Sequence, residues 1–145
     1  MNKKSLATLC GTCLLLLSLT APPAFARPPK TPPIQEKEST ELWTGSILTS
    51  TFRCGFCFTQ SGKARGVLLL KTAFGQIDEY HLYGSMKNGH LDVRHSSGHH
   101  VTGHIVDKKH VKGSIQLGSG RKFSFSGKRE TNVRLVPEDC APLPE

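Results

Sequence analysis

Cysteine and histidine are the side chains here whose spacing comes nearest to chemistry. Cys54 and Cys57 form a Cys-x-x-Cys pair, and Cys140 stands near the C-terminus. Such a pair is a redox centre when it opens a helix, whose N-terminus lowers the thiol pKa. Here it lies in Phe52-Arg53-Cys54-Gly55-Phe56-Cys57-Phe58, where the apolar residues alternate as along a half-buried strand. Phe52, Cys54, Phe56 and Phe58 then share one face, and Cys57 points the other way. Cysteines on opposite faces of an extended strand cannot join without a local turn. The leading expectation is that Cys54 or Cys57 bonds Cys140 and staples the tail to the domain in an oxidising compartment. A Cys54–Cys57 bridge is the alternative, and a thiol-dependent redox protein using the pair is a minority reading. A zinc site of cysteines lacks the fourth ligand and the spacing.

All seven histidines fall between His81 and His110. In the strand register derived below, His90, His104 and His110 lie on the outer face, with Asp92 opposite His104. Val106 separates His90 from His110 on the flanking strands. Imidazole with carboxylate suits zinc, copper or nickel, which makes these four residues a candidate metal surface. A solvated sheet face is the plainer reading, and no other cofactor is expected. His95 faces inward beside Leu82, and with Phe56, Phe123 and Phe125 it is a candidate lining of a ligand pocket. Asp92, His95 and Ser96 have the residue types of a triad, but Asp92 and His95 fall on opposite faces of one strand. There is no Gly-x-Ser-x-Gly elbow and no phosphate loop, so the chain reads as a non-enzyme.

These side chains depend on strands for their placement. His100-Val101-Thr102-Gly103-His104-Ile105 is answered by His110-Val111-Lys112-Gly113-Ser114-Ile115. The phrase apolar-x-Gly-x-apolar recurs at Trp43-Gly45-Ile47 and Leu82-Gly84-Met86, and in part at Phe125-Gly127. Glycine weakens a strand unless the backbone must bend or approach something closely. Its repeated placement on the inner face predicts a sheet curved tightly enough to close.

Asn88-Gly89 between alternating runs predicts a two-residue type I′ hairpin. That turn pairs Met86 with Leu91, Gly84 with Val93 and Leu82 with His95, and on the other face Ser85 with Asp92 and Tyr83 with Arg94. Ser97-Gly98-His99, Asp107-Lys108-Lys109 and Gly118-Ser119-Gly120 read as three-residue loops, which sets Gly103 opposite Gly113. Upstream strands are expected over Leu42–Leu48, Thr51–Thr59, Val67–Ala73 and Ile77–Met86, and a short last one over Asn132–Val136. The fold class is all-β: a small antiparallel up-and-down meander barrel of eight or nine strands, with a two-sheet sandwich as the alternative. An outer-membrane barrel is excluded, because it needs an apolar outer band with aromatic girdles, and the chain has a single Trp and two Tyr. In strand pattern alone the domain resembles small ligand-holding barrels such as avidin-like and lipocalin-like domains. No motif of either family is present, and no residue role is carried over.

The ends carry other information. Lys3 and Lys4, the run around Leu14–Leu17 and the small-x-small site Ala24-Phe25-Ala26 read as a signal peptide over 1–26. That run is too short for a membrane span. Residues 27–40, rich in Pro and charge, read as a flexible tether. The barrel domain is expected over 41–136 and a tail over 137–145. The chain carries 19 Lys and Arg against 11 Asp and Glu, and stays basic without Lys3 and Lys4. A basic exported domain suits anionic glycans, lipid headgroups or acidic proteins. Nucleic acid is not expected, since export removes it and no basic–aromatic motif appears. The leading expectation is therefore an exported, periplasmic or secreted, non-enzymatic binding module. It recognises a small ligand or an exported protein through its barrel.

Overall fold

The structure, a computed structural model, describes residues 36–136 together with Asp139 and Cys140. The expected signal peptide, most of the tether and most of the tail lie outside them. Eight strands run in chain order: β1 (Glu38–Ile47), β2 (Ser50–Thr59), β3 (Lys63–Lys71), β4 (Ile77–Lys87), β5 (His90–Arg94), β6 (His100–Ile105), β7 (His110–Gln116) and β8 (Lys122–Thr131). Each pairs antiparallel with the next, and β1 pairs with β8, so the sheet closes into an up-and-down barrel rather than a sandwich. Closure leaves no unpaired sheet edge to recruit another chain.

The hairpins show how local residues set the register. Asn88 (φ 50°) and Gly89 (φ 77°) adopt the left-handed pair of a type I′ turn, and Met86 faces Leu91 as the turn requires. The β6–β7 and β7–β8 links also hold the expected register, with Gly103 opposite Gly113 and Gln116 opposite Lys122. The β5–β6 link differs. Its loop is Ser96-Ser97-Gly98, closed by a bond from His95 N–H to His99 O, one residue earlier than expected. The cause is Gly98 at φ 84°. A three-residue hairpin loop is built as a type I turn followed by a left-handed residue, so glycine belongs in its last position, not its middle. The shift moves the pairing by two residues without turning the strand over. Asp92 therefore faces Thr102, and His90 faces His104.

At the ends, β1 starts at Glu38, before the expected start of the domain, because Glu38–Thr40 pair with Cys57–Thr59. The last expected strand does not form. Asn132 turns to φ 56°, its N–H donates to Thr40 O, and residues 132–136 leave the sheet.

Inward side chains fill the barrel. Trp43, Phe52, Phe56, Phe58 and Phe125 are buried with Leu68, Leu82, Leu91, Val93, Val101, Val111 and Ile115. Trp43 meets Phe56 edge-on at 5.1 Å between centroids, and Phe52 meets Phe125 at 5.2 Å. The inward glycines are the seats of these rings. A Cβ on Gly45 would stand 2.7 Å from the Phe52 ring, one on Gly113 2.6 Å from Phe125, and one on Gly103 3.0 Å from Trp43. The space that glycine leaves is shared by aromatic carbon and by backbone of the neighbouring strands, Ser126 O at Gly45 and Thr102 O at Gly113; at Gly84 the backbone of Asp92 and Val93 alone takes it.

Candidate functional site

Three places carry the chemistry flagged above, the interior, the cysteines and the histidine face, and the two barrel ends add features of their own. The interior offers little room. Between Trp43, Phe52, Phe56, Leu82 and Phe125 the gap is about 10 Å³. Roughly 10–15 Å³ is needed to hold one water, so an organic ligand has no place there. A second gap of about 30 Å³ lies nearer the mouth, under Tyr80, His99 and Leu117. Phe56 and Phe125 are core, and Phe123 packs against the core partly buried. His95 stands in the β5–β6 turn, its Nδ1 2.7 Å from Ser97 Oγ and its ring 5.4 Å from Tyr80. His99, which sequence reasoning left unassigned, lines the mouth in its stead.

Cys57 and Cys140 are disulfide-bonded, with Cα atoms 5.9 Å apart. Alternation along β2 turns Cys57 outward, so the bond holds Cys140 against the outside of the barrel. Arg53, also outward on β2, grips Asp139 through both terminal guanidinium nitrogens, Nη2 lying 3.0 Å from Oδ2. Gly55 lies between them on the same face, and a Cβ there would strike Asp139 at 2.7 Å. Arg65 on β3 ties the same corner down, pairing with Glu38 at 2.6 Å and donating to Cys140 O. The Arg53 guanidinium holds the Asp139 carboxyl below its usual pKa, against the opposing effect of burial. Cys54 is a free, buried thiol whose pKa burial raises well above its usual value. A nucleophilic thiol needs the reverse.

The histidine face divides into pairs. His90 and His104 lie side by side with ring centroids 6.2 Å apart. Lys112, not His110, is the next cross-strand neighbour of His104, and it brings an ammonium where a metal site needs a lone pair. His110 is bound to Asp107 at 2.9 Å, and Asp92 pairs with His100, also at 2.9 Å. His90, Asp92, His104 and His110 are therefore not brought to one point. Among the described residues no group of three or more His, Cys, Asp or Glu converges as a metal site.

The two barrel ends are unlike. At the end where β1 starts and β8 finishes, Glu41 is buried beneath Arg129, which donates through Nε at 2.6 Å and through Nη2. The Trp43 indole N–H donates to the same carboxylate at 2.8 Å. Both charges are thus satisfied, as burial requires. Glu41 two residues before Trp43, on its inner face, is the one sequence sign of this lock. At the opposite end, apolar side chains stand in solvent. Leu48 in the β1–β2 turn is 78% exposed, Phe74 in the β3–β4 turn 100% and Ile77 at the head of β4 61%. The β3–β4 turn is closed by Thr72 N–H to Gln76 O at 2.8 Å and Gly75 N–H to Thr72 O at 3.0 Å, with Gly75 at φ 84°.

Comparison with protein-family models, curated proteins and solved structures gives no match for this chain. The reading of its function therefore rests on its own residues.

Proposed function

We propose that this chain is an exported, non-enzymatic binding module that recognises a protein partner through the Leu48–Phe74–Ile77 end of its barrel. The observation that carries the reading is Phe74, fully exposed at the tip of a turn braced by two backbone hydrogen bonds. Folding gains nothing from an aromatic ring left in water, whereas such rings dominate the buried centres of protein interfaces. A turn already held in shape loses little entropy when it docks. A protruding ring at an end that also exposes Leu48 and Ile77 fits a concave apolar site on another protein. The filled interior weighs against the alternative of a small ligand inside the barrel. The Cys57–Cys140 bond supports export, since such bonds persist in oxidising compartments.

The test is site-specific photo-crosslinking in the exporting cell. A benzophenone amino acid replaces Phe74 in one strain and Lys63, at the opposite end, in another. We expect one discrete, light-dependent adduct from position 74, lost when Leu48 and Ile77 are changed to serine, and none from position 63. Absence of an adduct at 74, or the same adducts at both positions, rejects the reading.

A further inference from the structure

A second surface lies on the side wall, towards the end away from Phe74. Lys108 and Lys109 stand in the β6–β7 link, His110 and Lys112 on β7, and Lys128 on β8. They line two open depressions of about 600 and 620 Å³ that share His110 and Lys128. The register makes the surface continuous. His110 faces Lys128 across β7–β8, Lys112 faces Ser126, and Thr44 and Ser46 of β1 face Lys128 and Ser126 in turn.

The four lysines make no ion pair among the described residues, whereas Arg53, Arg65 and Arg129 are each paired with a carboxylate. Asp107 offsets one of the four charges, but no lysine ammonium pairs with it among the described residues. It already accepts the N–H groups of Lys109 and His110 and binds the His110 ring. Those bonds, that from the Lys109 N–H foremost, hold its carboxyl below the usual pKa. Glu130 is the other acid at the rim. Cations gathered on neighbouring strands repel one another, which opposes folding slightly. A local feature that opposes folding without compensation points to a function.

We propose that this groove binds a linear anionic polysaccharide, its sulfate or carboxylate groups meeting the lysines along β7 and β8. Two joined depressions suit a chain better than one isolated anion. The hydroxyls of Thr44, Ser46 and Ser126 offer hydrogen bonds to sugar hydroxyls. Docking on a membrane surface instead calls for apolar side chains beside the cations, and Val106 is the one exposed large apolar residue in this lining. Lys112 and Lys128 are diagonal neighbours across β7–β8, roughly 7–8 Å apart, so that both can engage one chain together.

The experiment titrates the purified, disulfide-bonded protein with heparin and with neutral dextran at physiological ionic strength, by calorimetry. K108Q/K109Q/K112Q/K128Q is compared with K37Q/K63Q/K87Q/R94Q, which removes the same formal charge elsewhere. Circular dichroism verifies folding, and the four-arginine variant at the groove positions keeps the charge should the glutamine variant not fold. We expect heparin but not dextran to bind, about tenfold weaker to the groove variant and within about twofold of wild type for the control and the arginine variant. Equal loss in both glutamine variants, or no heparin binding, overturns the proposal. So does full competition by inorganic sulfate at matched sulfate concentration, which marks a single-anion site. Tighter binding to phosphatidylglycerol vesicles than to heparin assigns the surface to lipid and overturns it as well.

Discussion

Asp139 shows how one residue couples the tail to the barrel. Its carboxyl pKa lies below the usual range, chiefly because Arg53 donates to it. A group whose pKa falls on folding stabilises the fold above its unfolded pKa, near ~3.9 for aspartate, and that contribution fades as pH drops through the folded value. The pair therefore supports the fold at neutral pH and is lost in acid. We expect Asp139→Asn to lower the unfolding free energy by about 1–3 kcal/mol at neutral pH, since a half-buried guanidinium loses its partner. Urea denaturation over a pH series checks this. The gap between wild type and variant should close below about pH 4; a gap that does not change with pH rejects the linkage. Arg53 could be placed outward from the alternation of β2, but its partner could not be read. Asp139 comes two residues after Pro137 in a segment with no period of its own.

The strand pattern was legible because each inner-face residue repeats every second position, and the Asn88-Gly89 turn admits one register. Legibility failed at the β5–β6 link, where three loop placements keep the same faces and only the left-handed need of Gly98 separates them. It failed again for the inner glycines. Their shared face correctly marked a tightly closed sheet, but the sequence left open whether the space beside them was cavity or ring. Strand Cβ positions now decide it. Gly113→Ala would push a methyl group to within 2.6 Å of the Phe125 ring, and closer still to the Thr102 carbonyl oxygen on the neighbouring strand. Overpacking of this kind costs about 1–3 kcal/mol. A Cβ at Gly75 meets nothing within 4 Å, so Gly75→Ala carries only the strain of its positive φ, about 1–2 kcal/mol. A double-mutant cycle distinguishes the two. Phe125→Leu should recover the ring's share of the loss in Gly113→Ala and none of that in Gly75→Ala; additivity at both positions would mean that the Thr102 carbonyl, not the ring, sets the cost at Gly113.

At the scale of the whole molecule, closure already removes the sheet edges, and the tail adds a covalent strap on the outside. The Cys57–Cys140 bond joins residues 83 apart in sequence. It closes most of the domain into one loop and thereby restricts the unfolded chain. The folded barrel has its own core of aromatic and aliphatic residues and its own Glu41–Arg129–Trp43 lock, neither of which includes Cys57 or Cys140. Cys57→Ser with Cys140→Ser should therefore lower the unfolding free energy by about 2–5 kcal/mol and leave one cooperative urea transition. Amide chemical shifts should change on the outer faces of β2 and β3, where Arg53, Gly55 and Arg65 meet the tail, and stay fixed around Phe74 and Lys128. Shifts that spread to Phe74 would show that the strap shapes the loop end. The partner surface would then depend on the oxidised state of the bond, and the barrel could not be treated as a rigid carrier of two separate surfaces.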